Sequence, residues 1–148
     1  MVAKPPIEQK ICSKNHPLLP LISRLQTAYP KLQFRFGKRF IYRPPHTIFV
    51  GSPEPHAELL LLHELGHALL GHQTFKSDLE RLKIERAAWD KARELAIKHH
   101  IPFNENFAET ELDTYRDWLH TKAKCKKCGL SRYQTPDGIY HCPHCEPN

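Results

Sequence analysis

Three side chains whose types and spacing could do chemistry stand within one run of five: His63, Glu64 and His67, in His63-Glu64-Leu65-Gly66-His67. On an α-helix, residues four apart lie one above the other on the same face. His63 and His67 can then offer two imidazole nitrogens to one ion, a pairing that suits the tetrahedral preference of zinc. Glu64, beside the first of them, is positioned to take a proton from a water that such a metal has acidified toward neutral pH. The flanks point to a buried helix, since Leu59 to Leu62 and Ala68 to Leu70 are apolar nearly all round. Two histidines and a glutamate in that setting need partners, because unpaired buried polar groups are costly. A metal would satisfy all three, whereas a surface helix carrying the pattern by chance would lack those flanks.

A catalytic zinc takes a third protein ligand and keeps one position open for water. Ser77-Asp78-Leu79-Glu80 reads as a capping box, Ser77 at the N-cap and Glu80 three residues on, opening a second helix to about His99. At 100° per residue, Leu82, Trp89, Ala92 and Ala96 share one apolar arc, and Glu85 falls inside it. Glu80, Asp90 and Glu94 lie at or beyond its edge. Asp78 shares the arc but sits in the first turn, where the helix dipole accounts for an acid. Glu85 is therefore the expected third ligand. His72 lies about 180° round the first helix from His63 and is expected to face away, as a capping or surface residue. The longer H-E-x-x-H-x-x-G-x-x-H pattern fails, because Leu70 and Gln73 stand where Gly and His would be needed. An oxyanion donor could come from Tyr115, His99, His100 or His120, and nothing in the sequence chooses among them.

The elements that must position these residues follow in order. Met1 to Ser13 is polar and Pro-containing and reads as a loose arm, with Cys12 as a plain unpaired thiol. Asn15 is the expected cap of a helix carrying Leu18, Leu21, Ile22 and Leu25, which Tyr29-Pro30 stops. Leu32–Phe36, Phe40–Arg43 and Thr47–Val50 are expected as a small antiparallel sheet, the last strand lying along the metal cleft where a peptide could pair with it. Ser52-Pro53-Glu54 reads as the opening of the histidine helix, running from about Pro53 to Leu70 with Gly71 as a left-handed cap. Farther on, Asn104 caps a helix whose apolar stripe is Phe107, Ala108, Leu112, Tyr115, Trp118 and Leu119.

A second constellation lies at the end of the chain. Cys125 and Cys128 form one C-x-x-C knuckle, Cys142 and Cys145 another, with thirteen residues between them. That spacing predicts a zinc ribbon folded by a structural metal on four thiolates, with Pro136-Asp137-Gly138 as the hairpin turn. Tyr133, Ile139 and Tyr140 are expected to cover its small core, and His141 and His144 to be spectators.

At 148 residues the chain has room for one body (1–121, core from about 15) and the ribbon (122–148). No stretch reaches the roughly 18 apolar residues of a membrane span. The first residues lack the apolar segment of a secretory signal, so the expectation is a cytosolic protein, in keeping with cysteines paired for metal. Of the net charge of +6, residues 1–51 hold nine Lys/Arg against one Glu, residues 52–121 eight against thirteen acids, and residues 122–148 five against two. Four thiolates around a zinc would reduce the ribbon's excess to about +1, which favours protein docking over a strong phosphate contact.

The segment from about Leu32 to Ala96 resembles the ImmA/IrrE family of zinc metallopeptidases. A short strand pair leads into the run from His63 to His72, and a second helix carries Glu85 ahead of Ala88, Trp89 and Ala92. The resemblance implies a minimal gluzincin-like α+β fold, with His63, His67 and Glu85 on zinc and Glu64 as general base. It also implies an intracellular protein as substrate, in this family commonly a helix-turn-helix repressor or related regulator. Two rivals remain. SprT-like proteases, which act on DNA-bound proteins, share the order of parts, but their usual ligand histidine in a Pro-His-Gly-like stretch is missing. The other is a non-catalytic nucleic-acid-binding regulator using the basic first third and the ribbon, against which the intact His63, Glu64 and His67 argue.

Overall fold

The computed structural model describes residues 13–146; Cys12 and nearly all of the N-terminal arm lie outside them, so the readings made there have no structural counterpart. Four helices and two small sheets follow one another as α1 (Leu19–Ala28), β1 (Gln33–Phe36), β2 (Ile41–Arg43), β3 (Thr47–Val50), α2 (Ala57–Leu69), α3 (Asp78–Lys98), α4 (Glu105–Ala123), β4 (Tyr133–Gln134) and β5 (Tyr140–His141). This is a mixed α+β chain. No helix among the described residues is long and apolar enough to cross a membrane.

The sheet departs from the antiparallel expectation. Its order is β1-β3-β2: β3 pairs antiparallel with β2 but parallel with β1, Phe34 opposite Ile48 and Phe36 opposite Val50. The central strand is thus the last in sequence, because it alone carries two fully buried side chains on one face, Ile48 and Val50. The free edge nearest the histidine helix therefore belongs to β2, not to the last strand.

The core lies between that face and the helices. Ile48 and Val50 meet Leu21 and Leu25 of α1, Leu59, Leu61, Leu62 and Leu65 of α2, and Trp89, Ala92, Leu95 and Ala96 of α3. Helix α1 is not capped by Asn15. A short 3-10 turn covers Ser13–Asn15, and the helix starts at an N-cap, Leu18, with no side-chain cap; just before it, buried His16 accepts from the Leu18 N–H through Nδ1 at 3.2 Å while Nε2 pairs with the Gly51 carbonyl at 2.9 Å.

Helix α2 starts four residues later than expected. Pro55 disfavours helical geometry for Glu54, so the chain turns once more, through left-handed His56 (φ 62°), before helix begins. Its end is as expected, with Gly71 at φ +68°. Helix α3 opens on the expected cap, the Ser77 hydroxyl accepting from the Glu80 N–H at 3.1 Å. The Glu80 carboxylate reaches back to the Lys76 N–H at 2.5 Å. Asn104 caps α4 through the Phe107 N–H at 2.9 Å.

Candidate metal centres

Helices α2 and α3 cross at Gly66, where an added Cβ would sit 2.7 Å from the Ala88 carbonyl oxygen. This close approach brings Glu85 of α3 against the two histidines of α2. His63 Nε2 lies 3.0 Å from Glu85 Oε2, His67 Nε2 3.5 Å from the same oxygen, and the two Nε2 atoms 3.1 Å apart. All three residues are buried. Zinc–nitrogen and zinc–oxygen bonds of about 2.0–2.1 Å in a tetrahedron require donor atoms about 3.4 Å apart, so the triangle matches one face of that tetrahedron. Burial would raise the Glu85 carboxyl, but hydrogen bonds from His63 and His67 outweigh it and hold the group at about 2. A carboxylate is thus ready at the third corner at neutral pH.

The two histidines are held differently. The His63 ring stacks on Trp89, centroids 4.4 Å apart and planes at 27°, and its Nδ1 is buried with no hydrogen-bond partner among the described residues. The His67 Nδ1 meets His72 Nδ1 at 2.9 Å. His72 therefore turns toward the site, against the expectation from the helical wheel. The wheel extrapolates α2 beyond its end: the helix stops at Leu69 and the left-handed turn at Gly71 folds the next residue back over His67. Burial and the neighbouring His67 lower the His72 pKa, which favours a neutral ring. With a metal on Nε2 of His67, its Nδ1 would carry the proton and donate to His72, the outer hydrogen bond that ligating histidines commonly make.

Glu64 points into the same cleft and is fixed by β2. One carboxylate oxygen, Oε2, accepts from the Tyr42 N–H at 2.6 Å, leaving the other free. The cleft, about 410 Å³, runs between β2, α2, the 72–75 connection, α3 and α4. Of the four oxyanion candidates, Tyr115 alone lines it. Burial and the Glu85 charge push the Tyr115 phenol above its ordinary pKa, so its proton is retained and available to donate. His99 is buried elsewhere, facing Tyr29.

The four C-terminal cysteines also converge. Cys125, Cys128, Cys142 and Cys145 form a second cluster able to hold an ion, and none is in a disulfide. Cys125 Sγ to Cys145 Sγ is 4.0 Å and Cys128 Sγ to Cys142 Sγ 3.5 Å, bracketing the ~3.8 Å edge of a tetrahedron with 2.3 Å zinc–sulfur bonds. Backbone N–H groups of Cys128 and Lys127 draw the Cys125 thiol down to about 6. The β4–β5 hairpin turns at Gly138 (φ +87°) as expected. Tyr133 and Ile139, however, are 52% and 54% exposed and cover nothing. With two-residue strands, the hairpin is too short to fold them over the cluster. His141 pairs with Glu146 at 3.1 Å, outside the cysteine cluster.

Asp78, set aside in the sequence as a simple helix-start acid, joins the β4–β5 hairpin to α3. Its carboxylate accepts from the Tyr140 hydroxyl at 2.7 Å and from Lys122 Nζ at 2.8 Å, while its backbone N–H donates to Gln134 at 2.9 Å. Nothing in spacing alone could have marked this contact, which spans more than fifty residues of sequence. The chain as a whole matches no protein-family model, no curated protein and no solved structure.

Proposed function

We propose that this chain is a zinc-dependent metallopeptidase with a zincin-like body, hydrolysing peptide bonds in an intracellular protein, with a C-terminal zinc ribbon as a docked structural module. The observation that carries the reading is the buried donor triangle of His63, His67 and Glu85 with Glu64 fixed beside it. The nitrogen–nitrogen–oxygen donor set, at the edge lengths of a tetrahedron, favours zinc in the first centre, and four thiolates favour it in the second.

A zinc ion in the first centre would supply Lewis acidity, polarising the scissile carbonyl and making water nucleophilic near neutral pH. The residues of this chain do the rest. The Tyr42 N–H holds Oε2 of Glu64, so the free oxygen faces the cleft as general base, taking the water's proton and passing it to the leaving amine. Tyr115, kept protonated, donates to the oxygen on which charge develops. His72 holds the His67 ring in the tautomer that leaves Nε2 free to ligate. A regulator of the helix-turn-helix type is the substrate class that the ImmA/IrrE resemblance implies.

The test is a quenched-fluorescence peptide library incubated with zinc-loaded protein and with Glu64→Gln. Cleavage should occur in the first and fall at least about 100-fold in the second, at unchanged zinc content. Cleavage that survives Glu64→Gln or chelation, or a zinc-loaded chain that cleaves no member, contradicts the reading.

A further inference from the structure

Arg81 stands on α3 one turn before Glu85, on the same side of the helix, and lines the cleft. Its guanidinium lies 5.4 Å from the ring centroid of Phe75, 5.4 Å from that of Tyr115 and 5.1 Å from that of Trp118. Ring faces hold a guanidinium in place without consuming its five N–H donors. Among the described residues no carboxylate lies within ion-pair distance of Arg81.

The nearby acids are all committed. Asp78 feels the Arg81 charge but accepts from Lys122 and Tyr140. Glu85 is taken by the two histidines, and Glu64 by the Tyr42 N–H. The cleft wall carries two guanidinium groups, Arg39 and Arg81, against the carboxylates of Glu85 and of Glu64, the latter held through one oxygen. A divalent ion on the donor triangle would leave a net positive cleft, with the half-buried Arg81 guanidinium on its wall, one helical turn from Glu85.

We propose that Arg81 is the specificity residue of this cleft, pairing with a carboxylate of the bound peptide next to the bond that meets the metal centre. This rests on the metallopeptidase reading. A fork of planar donors suits a carboxylate better than a neutral amide, since it can form two parallel N–H···O bonds. The carboxylate can come from a Glu or Asp side chain or from a chain terminus. In either case Arg81 also links recognition to chemistry, because its guanidinium lies over the ring of Tyr115, whose hydroxyl is the proposed oxyanion donor.

The experiment measures binding, without turnover. Zinc-loaded protein is titrated calorimetrically with short peptide hydroxamates, which bind through the chelating group. One pair differs only in Glu against Gln with an amidated C-terminus, built with the hydroxamate at either end so that both halves of the cleft are sampled. A further compound carries Gln and a free C-terminal carboxylate. One of the acidic compounds should bind about tenfold tighter than its neutral partner, or about 1.4 kcal/mol, and which one does so identifies the source of the carboxylate. The preference should shrink with added salt and fall to within about twofold in Arg81→Met. That variant keeps an apolar stem against the three rings and must hold zinc as the wild type does. Equal binding of acidic and neutral compounds to the wild type overturns the proposal whatever the variant does. So does a preference that survives Arg81→Met or vanishes in Arg39→Gln instead. If no hydroxamate binds at all, the metal-cleft reading fails first and takes this proposal with it.

Discussion

Gly66 lies where α2 crosses α3, and replacing it with alanine sets two effects of opposite sign against each other. In an unpacked helix, Gly→Ala stabilises by about 1 kcal/mol, through reduced backbone entropy in the unfolded chain. Here the new Cβ would lie 2.7 Å from the Ala88 carbonyl oxygen and 3.3 Å from Lys91 Cβ. The first contact is roughly 0.7 Å short of ordinary van der Waals distance, and it is made to backbone, which cannot swing aside. The helices must part there, and overpacking of this kind costs about 1–3 kcal/mol. Two corners of the donor triangle ride on α2 and the third on α3, so the His63–Glu85 and His67–Glu85 edges open together. Metal sites tolerate errors of only about 0.2 Å in ligand distance. Gly66→Ala should therefore be neutral to about 2 kcal/mol less stable without metal, and should bind zinc at the first centre at least about tenfold more weakly. Urea unfolding with and without chelator gives the first quantity, and competition with a chromophoric chelator gives the second. A variant that is about 1 kcal/mol more stable and holds zinc like the wild type would refute the close-crossing argument.

Three further outcomes follow from particular residues. His72→Ala should weaken zinc binding at the first centre by about 10–100-fold, by removing the acceptor that orients His67, while the ribbon keeps its ion. Asp78→Asn should cost about 2 kcal/mol in urea unfolding, because Tyr140 and Lys122 lose their charged acceptor. Burial opposes ionisation of Asp78, but the bonds from Lys122 and Tyr140 outweigh it and lower its pKa. Its contribution is then full above the unfolded value of about 3.9 and is lost as pH falls through the lower folded value. The gap between wild type and Asp78→Asn should thus hold from about pH 7 to pH 5 and close only below about pH 4. His99 has the opposite consequence in a higher window. Burial, then the charges of Lys98 and Arg24, lower its folded pKa, and its Nε2 is buried without a partner among the described residues. The unfolded chain takes up the proton first, so stability falls as pH drops from about 6.5, and His99→Gln should flatten that slope in unfolding measured at about pH 7 and pH 5.5.

The residues that sequence brought forward and those it passed over differ in a physical way. His63, His67 and Glu85 were legible because each sits inside a helix, where periodicity says which side chains share a face and burial says which of them need a partner. The four cysteines were legible because two-residue spacing within a knuckle is itself the geometry of the cluster. Failures came where periodicity stops. His72 lies beyond a left-handed residue, so the wheel pointed it the wrong way. His56 and Pro55 delayed the start of α2, and α1 begins at Leu18 with no side-chain cap, past Asn15. The parallel pairing of β1 with β3 depends on which strand is central, a property of the whole sheet that no alternation pattern records. Asp78 was explained locally as a helix-start acid, and its long-range partners Tyr140 and Gln134 appear only when the ribbon is docked. Arg81 was one basic residue among many until three rings and an absence of acids singled it out.

The most direct measurement is the zinc content of the purified chain, compared with Glu85→Ala and with Cys142→Ser/Cys145→Ser. The account requires about two ions in the wild type and about one in each variant, the ion lost from Glu85→Ala being the one that supports peptide cleavage. Two ions retained by Glu85→Ala, or a wild type that holds only the ribbon's ion, would contradict it.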